Sequence, residues 1–193
     1  MTSTPVTSTP VAPARRRSPI RRPWTVSAAV LTGIHHGYEL SNGVGLVLQP
    51  ELGLVGSSIL WGTQLPTWSA LAVRGGGRWD RLLAVWSGAA LAGVLVHFRM
   101  WPLRRSRWGL PVLAEAEGLE GARLTAYNVI LYVWGVTSTL AIVRDLPRGR
   151  RRWALVGLAT LPLQSASAAH HFAWLGRQAS VRPAWWNRAT AAT

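Results

Sequence analysis

Long runs of apolar residues, separated by short basic or polar segments, make up most of the chain. Each run has about 17–25 residues, the length that a helix needs to cross the hydrocarbon core of a bilayer. The pattern therefore predicts an all-α fold, a polytopic bundle of about five transmembrane helices joined by short loops. The predicted spans are residues 24–49, 52–73, 82–98, 124–143 and 153–176.

The segments outside these runs suggest three parts. Residues 1–23, rich in Thr, Ser, Pro and Arg, are expected to form a disordered basic tail. Residues 24–176 form the membrane domain, and residues 177–193 form a short polar tail. The connection at Pro50-Glu51 is short, so the first two spans should be antiparallel neighbours. A short interfacial helix is plausible in the polar segment 99–123, and Pro162 should kink the last span.

Composition narrows the class of partner. The net charge is +14, and all 21 basic residues are Arg, clustered at the ends of the apolar runs, where they contact lipid phosphates. This placement argues against nucleic-acid binding. Thirteen arginines lie on the N-terminal side of the membrane and eight on the other, which favours a multi-pass protein of the cell membrane with a cytoplasmic N-terminus. The 12 Trp residues mostly mark span boundaries, and the absence of Cys excludes disulfides and thiolate metal sites.

Polar side chains inside the first span carry the chemical signal. His35, Glu39 and Asn42 are spaced three and four residues apart, so they form one polar stripe on a helix, and His36 points about a quarter turn away. Ionisable groups within a membrane tend to mark catalysis or transport. A buried His–Glu pair can hold one proton in two nearly balanced states, so the catalytic candidates are Glu39, His35 and His36. The alternative is a hydrogen bond that only secures helix packing.

Further polar and aromatic residues are expected to close over this stripe. The alternating direction of the spans places His97, His170, His171, Tyr127 and Asn128 toward one membrane face, above Glu39. Aromatic side chains can line the path of an apolar substrate. The predicted substrate-binding set is Asn42, Tyr38, Trp61, Trp68, Tyr127, Asn128, Trp134, His97, His170 and His171.

A dry pocket with one acid and several aromatic faces suits an isoprenoid or similar hydrophobic substrate, protonated to a carbocation that aromatic faces stabilise. The stretch HHGYELSNGVGLVLQPELG resembles the integral-membrane terpene cyclases of meroterpenoid pathways. The His35-x-x-x-Glu39 spacing is also similar to that of the emopamil-binding sterol isomerases. The cyclase resemblance implies more spans and a second acid late in the chain, yet no predicted span after Glu39 contains an acid. Glu115, Glu117 and Glu120 fall in the polar segment instead.

Two other classes stay open at this stage. One is a haem b protein with axial His35 or His36 and His170 or His171. The other is a non-enzymatic scaffold or transporter subunit, although no internal repeat favours a transporter. The preferred interpretation assigns no metal and no cofactor. Its partners are a hydrophobic small molecule and the lipid bilayer, and the oligomeric state is left open.

Overall fold

The computed structural model describes residues 22–191, so residues 1–21 of the predicted disordered tail lie outside the described residues. The fold is mainly helical, as predicted. Its long helices are α1 (Pro23–Ser41), α2 (Gln49–Arg74), α3 (Asp80–Met100), α4 (Gly121–Leu140) and α6 (Leu161–Val181), with a short α5 (Ala154–Leu158) and two short strands, β1 (Leu103–Arg105) and β2 (Pro111–Leu113). A π turn (Ala141–Asp145) extends α4, and 3-10 turns lie at Gly77–Trp79, Arg148–Trp153 and Arg188–Ala191.

Helix α3 is the centre of the bundle and packs against α4, α5 and α6. Helix α1 packs mainly against α2 and α4. The approach of α5 to α3 depends on glycine: a Cβ added at Gly88 would lie 2.0 Å from the carbonyl oxygen of Ala154, and one at Gly157 would lie 2.0 Å from that of Val85. Small residues of this kind let two helix backbones come together.

The first predicted span is shorter than expected. Helix α1 ends at Ser41, not near residue 49, because the chain turns at Gly43, whose φ of 82° is accessible mainly to glycine. The following segment folds inward and buries Val44 and Leu46 before α2 begins. Arg22, predicted to be in the basic tail, is buried in an ion pair with Asp80 at the start of α3.

The segment between α3 and α4 is a β-hairpin followed by a buried loop, so the interfacial-helix expectation is wrong. Strands β1 and β2 pair antiparallel, and Gly109, with φ 75°, lies in the turn between them. Pro102 and Pro111 flank this turn and disfavour a continuous helix. The loop then buries Leu113, Ala116 and Leu119 in the main core between α3 and α4.

The C-terminal part departs from the prediction in two ways. The fifth predicted span is two helices, α5 and α6, joined at residues 159–160 just before Pro162, where φ and ψ stay in the right-handed helical region. The polar tail is partly folded: α6 continues to Val181, and the amide of Ala189 donates to the carbonyl oxygen of Gly43. Ala189 also lies against Gly118, where an added Cβ would lie 2.0 Å from its carbonyl oxygen.

Two helical segments in the described part of the chain combine the length and the apolar character needed to cross a membrane, Gly77–Met100 and Gly121–Asp145. They contain α3 and α4, the third and fourth predicted spans. The other three predicted spans do not meet both criteria together within residues 22–191.

Candidate active site

Glu39 is the centre of a buried polar cluster near the C-terminal end of α1. Its Oε1 lies 3.1 Å from Nε2 of His35, and its Oε2 lies 3.1 Å from Nδ1 of His36. These contacts arise from helical spacing, since residues three and four positions apart share a face of the helix. The three predicted catalytic residues therefore lie together.

Two neighbouring helices contribute to the same carboxylate. The Tyr127 hydroxyl, from α4, donates to Oε1 of Glu39 at 2.7 Å. Nε2 of His97, from α3, lies 3.7 Å from that oxygen. The His35 ring lies 4.9 Å from the His97 ring and 5.4 Å from the Tyr127 ring. His97 and Tyr127 thus join the site, as the direction of the spans predicted.

A second buried carboxyl, Glu117, completes the cluster, and the sequence analysis missed it. Its Oε1 lies 2.9 Å from the Tyr127 hydroxyl and 3.6 Å from Nε2 of His97. Glu117 has φ 57°, an uncommon conformation for a residue other than glycine, and its side chain points into the bundle from the loop after β2. The neighbouring Glu115 and Glu120 are exposed. Only the Gly118 that follows Glu117 hinted at an unusual turn.

The Tyr127 hydroxyl has one hydrogen but contacts oxygens of two carboxyl groups. If both carboxyls were ionised, one of the two close oxygen pairs would lack a proton and would be repulsive. Burial raises the pKa of Glu117 well above its ordinary value, and the charge of Glu39 raises it further. In addition, Oε2 of Glu117 has no hydrogen-bond partner among the described residues, which favours its neutral form. The geometry therefore fits a Glu117 carboxyl that carries a proton, joined through Tyr127 to Glu39.

A cavity of about 500 Å³ adjoins the cluster. His36, Glu39 and His97 form part of its wall. Trp61 lies against the His36 ring at 3.9 Å and Trp134 against the His35 ring at 4.7 Å, and both indoles line the cavity, as predicted. The remaining lining is Thr32, His35, Val47, Leu48, Gln64, Trp86, Ala89, Ala90, Gly93, Val96, Thr160, Leu163, Gln164, Ser167, Ala168 and Phe172. It is an apolar space of ligand size with an acid cluster in its wall.

Three predicted substrate-binding residues lie beside the cluster but outside the cavity. Asn42 is not part of the α1 stripe, because the helix ends at Ser41; its side chain donates to the carbonyl oxygen of Tyr38. The Tyr38 hydroxyl donates to the carbonyl oxygen of Arg123, and its ring lies 6.2 Å from that of Tyr127. Asn128 holds the hairpin against α4 by accepting from the amide of Leu113.

The other three lie elsewhere. His170 is 58% exposed and lies 3.6 Å from Glu51. His171 is buried against Phe172 and Trp174, and neither of its ring nitrogens has a hydrogen-bond partner among the described residues. Trp68 stacks on Trp86, which is the member of that pair that lines the cavity. A common position along the helices does not fix the rotation of each helix about its axis.

His35, Glu39 and His97 each place one ligand atom within 4.8 Å of the others, a spacing that a divalent cation could use. Both Glu39 oxygens also have protein partners in Tyr127, His35 and His36, whereas Nδ1 of His35 and Oε2 of Glu117 have none among the described residues. Of the two α6 histidines considered as haem ligands, His170 lies on the surface beside Glu51, whereas His171 is buried and neither of its ring nitrogens has a hydrogen-bond partner among the described residues.

No model of a known protein family, no curated protein and no solved structure matches this chain.

Proposed function

We propose that this chain is an integral membrane enzyme that performs proton-initiated cyclisation or isomerisation of an isoprenoid or similar hydrophobic substrate. The observation that carries the proposal is the chain of contacts from Glu117 through the Tyr127 hydroxyl to Glu39 in the wall of an apolar cavity. Such a chain keeps a proton next to a space from which water is largely excluded. A scaffold function does not require a cavity of this kind.

The outer surface supports a membrane location for the whole bundle. Large apolar side chains are exposed on several helices, including Val55 at 73%, Leu163 at 72%, Ile59 at 61% and Val129 at 58%. In contrast, His35, Glu39 and Glu117 are buried. Polar groups inside and apolar groups outside suit a lipid environment. The proposed arrangement is the five-span bundle with a cytoplasmic N-terminus in the cell membrane.

In the proposed reaction the Tyr127 hydroxyl first passes its hydrogen to the ionised Glu39 and takes the proton of Glu117. Glu39, now protonated, transfers this proton to an alkene of the substrate. The carbocation formed would lie near the faces of Trp61 and Trp134, which stabilise positive charge. Loss of a proton from a neighbouring carbon to His36, which faces the cavity, gives a cyclic or isomerised alkene. The product has the atoms and the oxidation state of the substrate.

Glu117 also bears on the resemblance to the terpene cyclases. That resemblance implied a second acid, which no predicted span after Glu39 supplied. Glu117 offers one, although it comes from a mid-chain loop and not from a late span. In this proposal two carboxyls share the acid chemistry, and the histidines position Glu39 and accept the released proton.

The test compares membranes that contain the wild type, Glu39→Gln, Glu117→Gln or Glu115→Gln, each incubated with linear prenyl alcohols and prenylated quinols. Glu115 is the matched control, because it is an exposed glutamate two residues from Glu117. Wild type and Glu115→Gln should form the same product, whereas Glu39→Gln and Glu117→Gln should be slower by about 100-fold or more. Equal product from all four proteins would refute the role of the carboxyls.

A further inference from the structure

We infer an opening of the cavity between α2 and α6 from the exposure of its lining residue Leu163 and from the few contacts between these two helices. Helix α2 packs mainly against α1 and touches α6 only sparsely. Leu163 of α6 lines the cavity and is nevertheless 72% exposed, so the cavity reaches the outer surface at this residue. On α2 the lining residues are Trp61 and Gln64, both partly exposed. The opening therefore lies on the apolar flank of the bundle.

The cavity is elongated along the helices. On α3 its lining runs from Ala89 to His97, which corresponds to about 12 Å of helix. On α6 it runs from Leu163 to Phe172, which corresponds to about 13 Å. Glu39 and His97, whose side chains lie 3.7 Å apart, are both in its wall. Phe172, at the other helix, is the last lining residue of α6. Its shape is that of a slot for an extended chain.

We propose that this slot is a binding site for the tail of a linear prenyl lipid, which enters sideways from the bilayer between α2 and α6. This inference rests on the proposed function, since it names the substrate class and the route to the same acid. The slot's wall outside the His–Glu cluster is mainly apolar, so it recognises a hydrocarbon chain and offers no cationic group for a phosphate head. A contact of 3.6 Å between His170 and Glu51 joins the same two helices.

The depth of the slot depends on Gly93. A Cβ added there would lie 3.1 Å from Cη2 of Trp134 and 3.3 Å from Oε1 of Gln164. Any larger side chain would enter the space between α3, α4 and α6. The absence of a side chain at Gly93 therefore leaves room in the slot, and a larger residue there would reduce the length or the branching of the chain that the slot accepts.

The absence of cysteine from the sequence makes the test direct. A single cysteine is introduced at Leu163 or, as a matched control, at Val129, an apolar residue of α4 that is 58% exposed and does not line the cavity. Both variants are placed in lipid nanodiscs and alkylated with a membrane-soluble maleimide, with and without geranylgeraniol. The same pair is prepared with Glu39→Gln, so that binding is measured without turnover.

Geranylgeraniol should slow alkylation severalfold at Leu163→Cys and leave Val129→Cys unchanged, with and without Glu39→Gln. Equal rates with and without the prenol at Leu163→Cys, or equal slowing at both positions, would overturn the slot assignment. A disulfide-linked dimer formed through Leu163→Cys would overturn it in favour of a second copy of the chain. Protection at Leu163→Cys without product from the wild type would retain the slot and reject the proposed reaction, so the two failures are distinguishable.

Discussion

The Tyr127 hydroxyl is the group on which both carboxyls of the cluster depend. Tyr127→Phe removes this oxygen and leaves the ring in place between His35 and Tyr38. Two buried contacts are lost, at 2.7 Å to Glu39 and at 2.9 Å to Glu117. One of them involves a charged carboxylate, contributing about 1.5–3 kcal/mol, and the other a neutral carboxyl, contributing about 0.5–1.5 kcal/mol. The free energy of unfolding should therefore fall by roughly 2–4 kcal/mol.

The assay is unfolding in mixed micelles of dodecyl maltoside and sodium dodecyl sulfate, followed by tryptophan fluorescence. Tyr132→Phe is the control, since Tyr132 is on the same helix and its hydroxyl donates to the carbonyl oxygen of Pro111 at an exposed site. This variant should lose no more than about 1 kcal/mol. If Tyr127→Phe were no less stable than Tyr132→Phe, the hydroxyl would not bridge the two carboxyls.

Three further predictions follow from the site. Burial and the charge of Glu39 raise the pKa of Glu117 above 4.5, so its contribution to stability is present below pH 4.5 and is lost as the pH rises through the raised pKa. Thermal unfolding at increasing pH should show this loss in the wild type and not in Glu117→Gln. Gly93→Ala should retain the fold but weaken binding of geranylgeraniol more than that of a shorter prenol, measured by competition; equal affinities would contradict its place in the slot. Trp61→Leu should slow product formation more than it weakens substrate binding, since an indole face stabilises the cation and not the neutral alkene; an unchanged rate would exclude this role.

The structure separates what the sequence could predict from what it could not. His35, His36 and Glu39 could be predicted to lie together, because residues three and four apart on a helix share a face. His97 and Tyr127 could be predicted to join them, because the antiparallel spans expected from the sequence place the two residues at one depth. Depth does not determine the rotation of a helix, and the same argument also included His170 and His171, whose contacts include Glu51 and Phe172, respectively.

Glu117 could not be identified from the sequence, for a different reason. It is one of three glutamates in a short polar stretch, and the Gly118 that follows it does not single it out, because Gly121 follows the exposed Glu120. Its burial depends on the hairpin that precedes the loop and on a contact distant in sequence, that of Ala189 with Gly118. Hydropathy marks the whole segment as polar. An average over a window cannot show which of its carboxyl groups is buried.

The transfer of a proton from the cluster to a hydrophobic substrate is measured most directly by deuterium. Purified protein in nanodiscs is incubated in D₂O with a linear prenyl substrate, and the product is analysed by mass spectrometry. The account predicts a product that carries a deuteron on carbon from the wild type and from Glu115→Gln, and none from Glu39→Gln. A product without carbon-bound deuterium, or deuterium incorporated equally by Glu39→Gln, would contradict it.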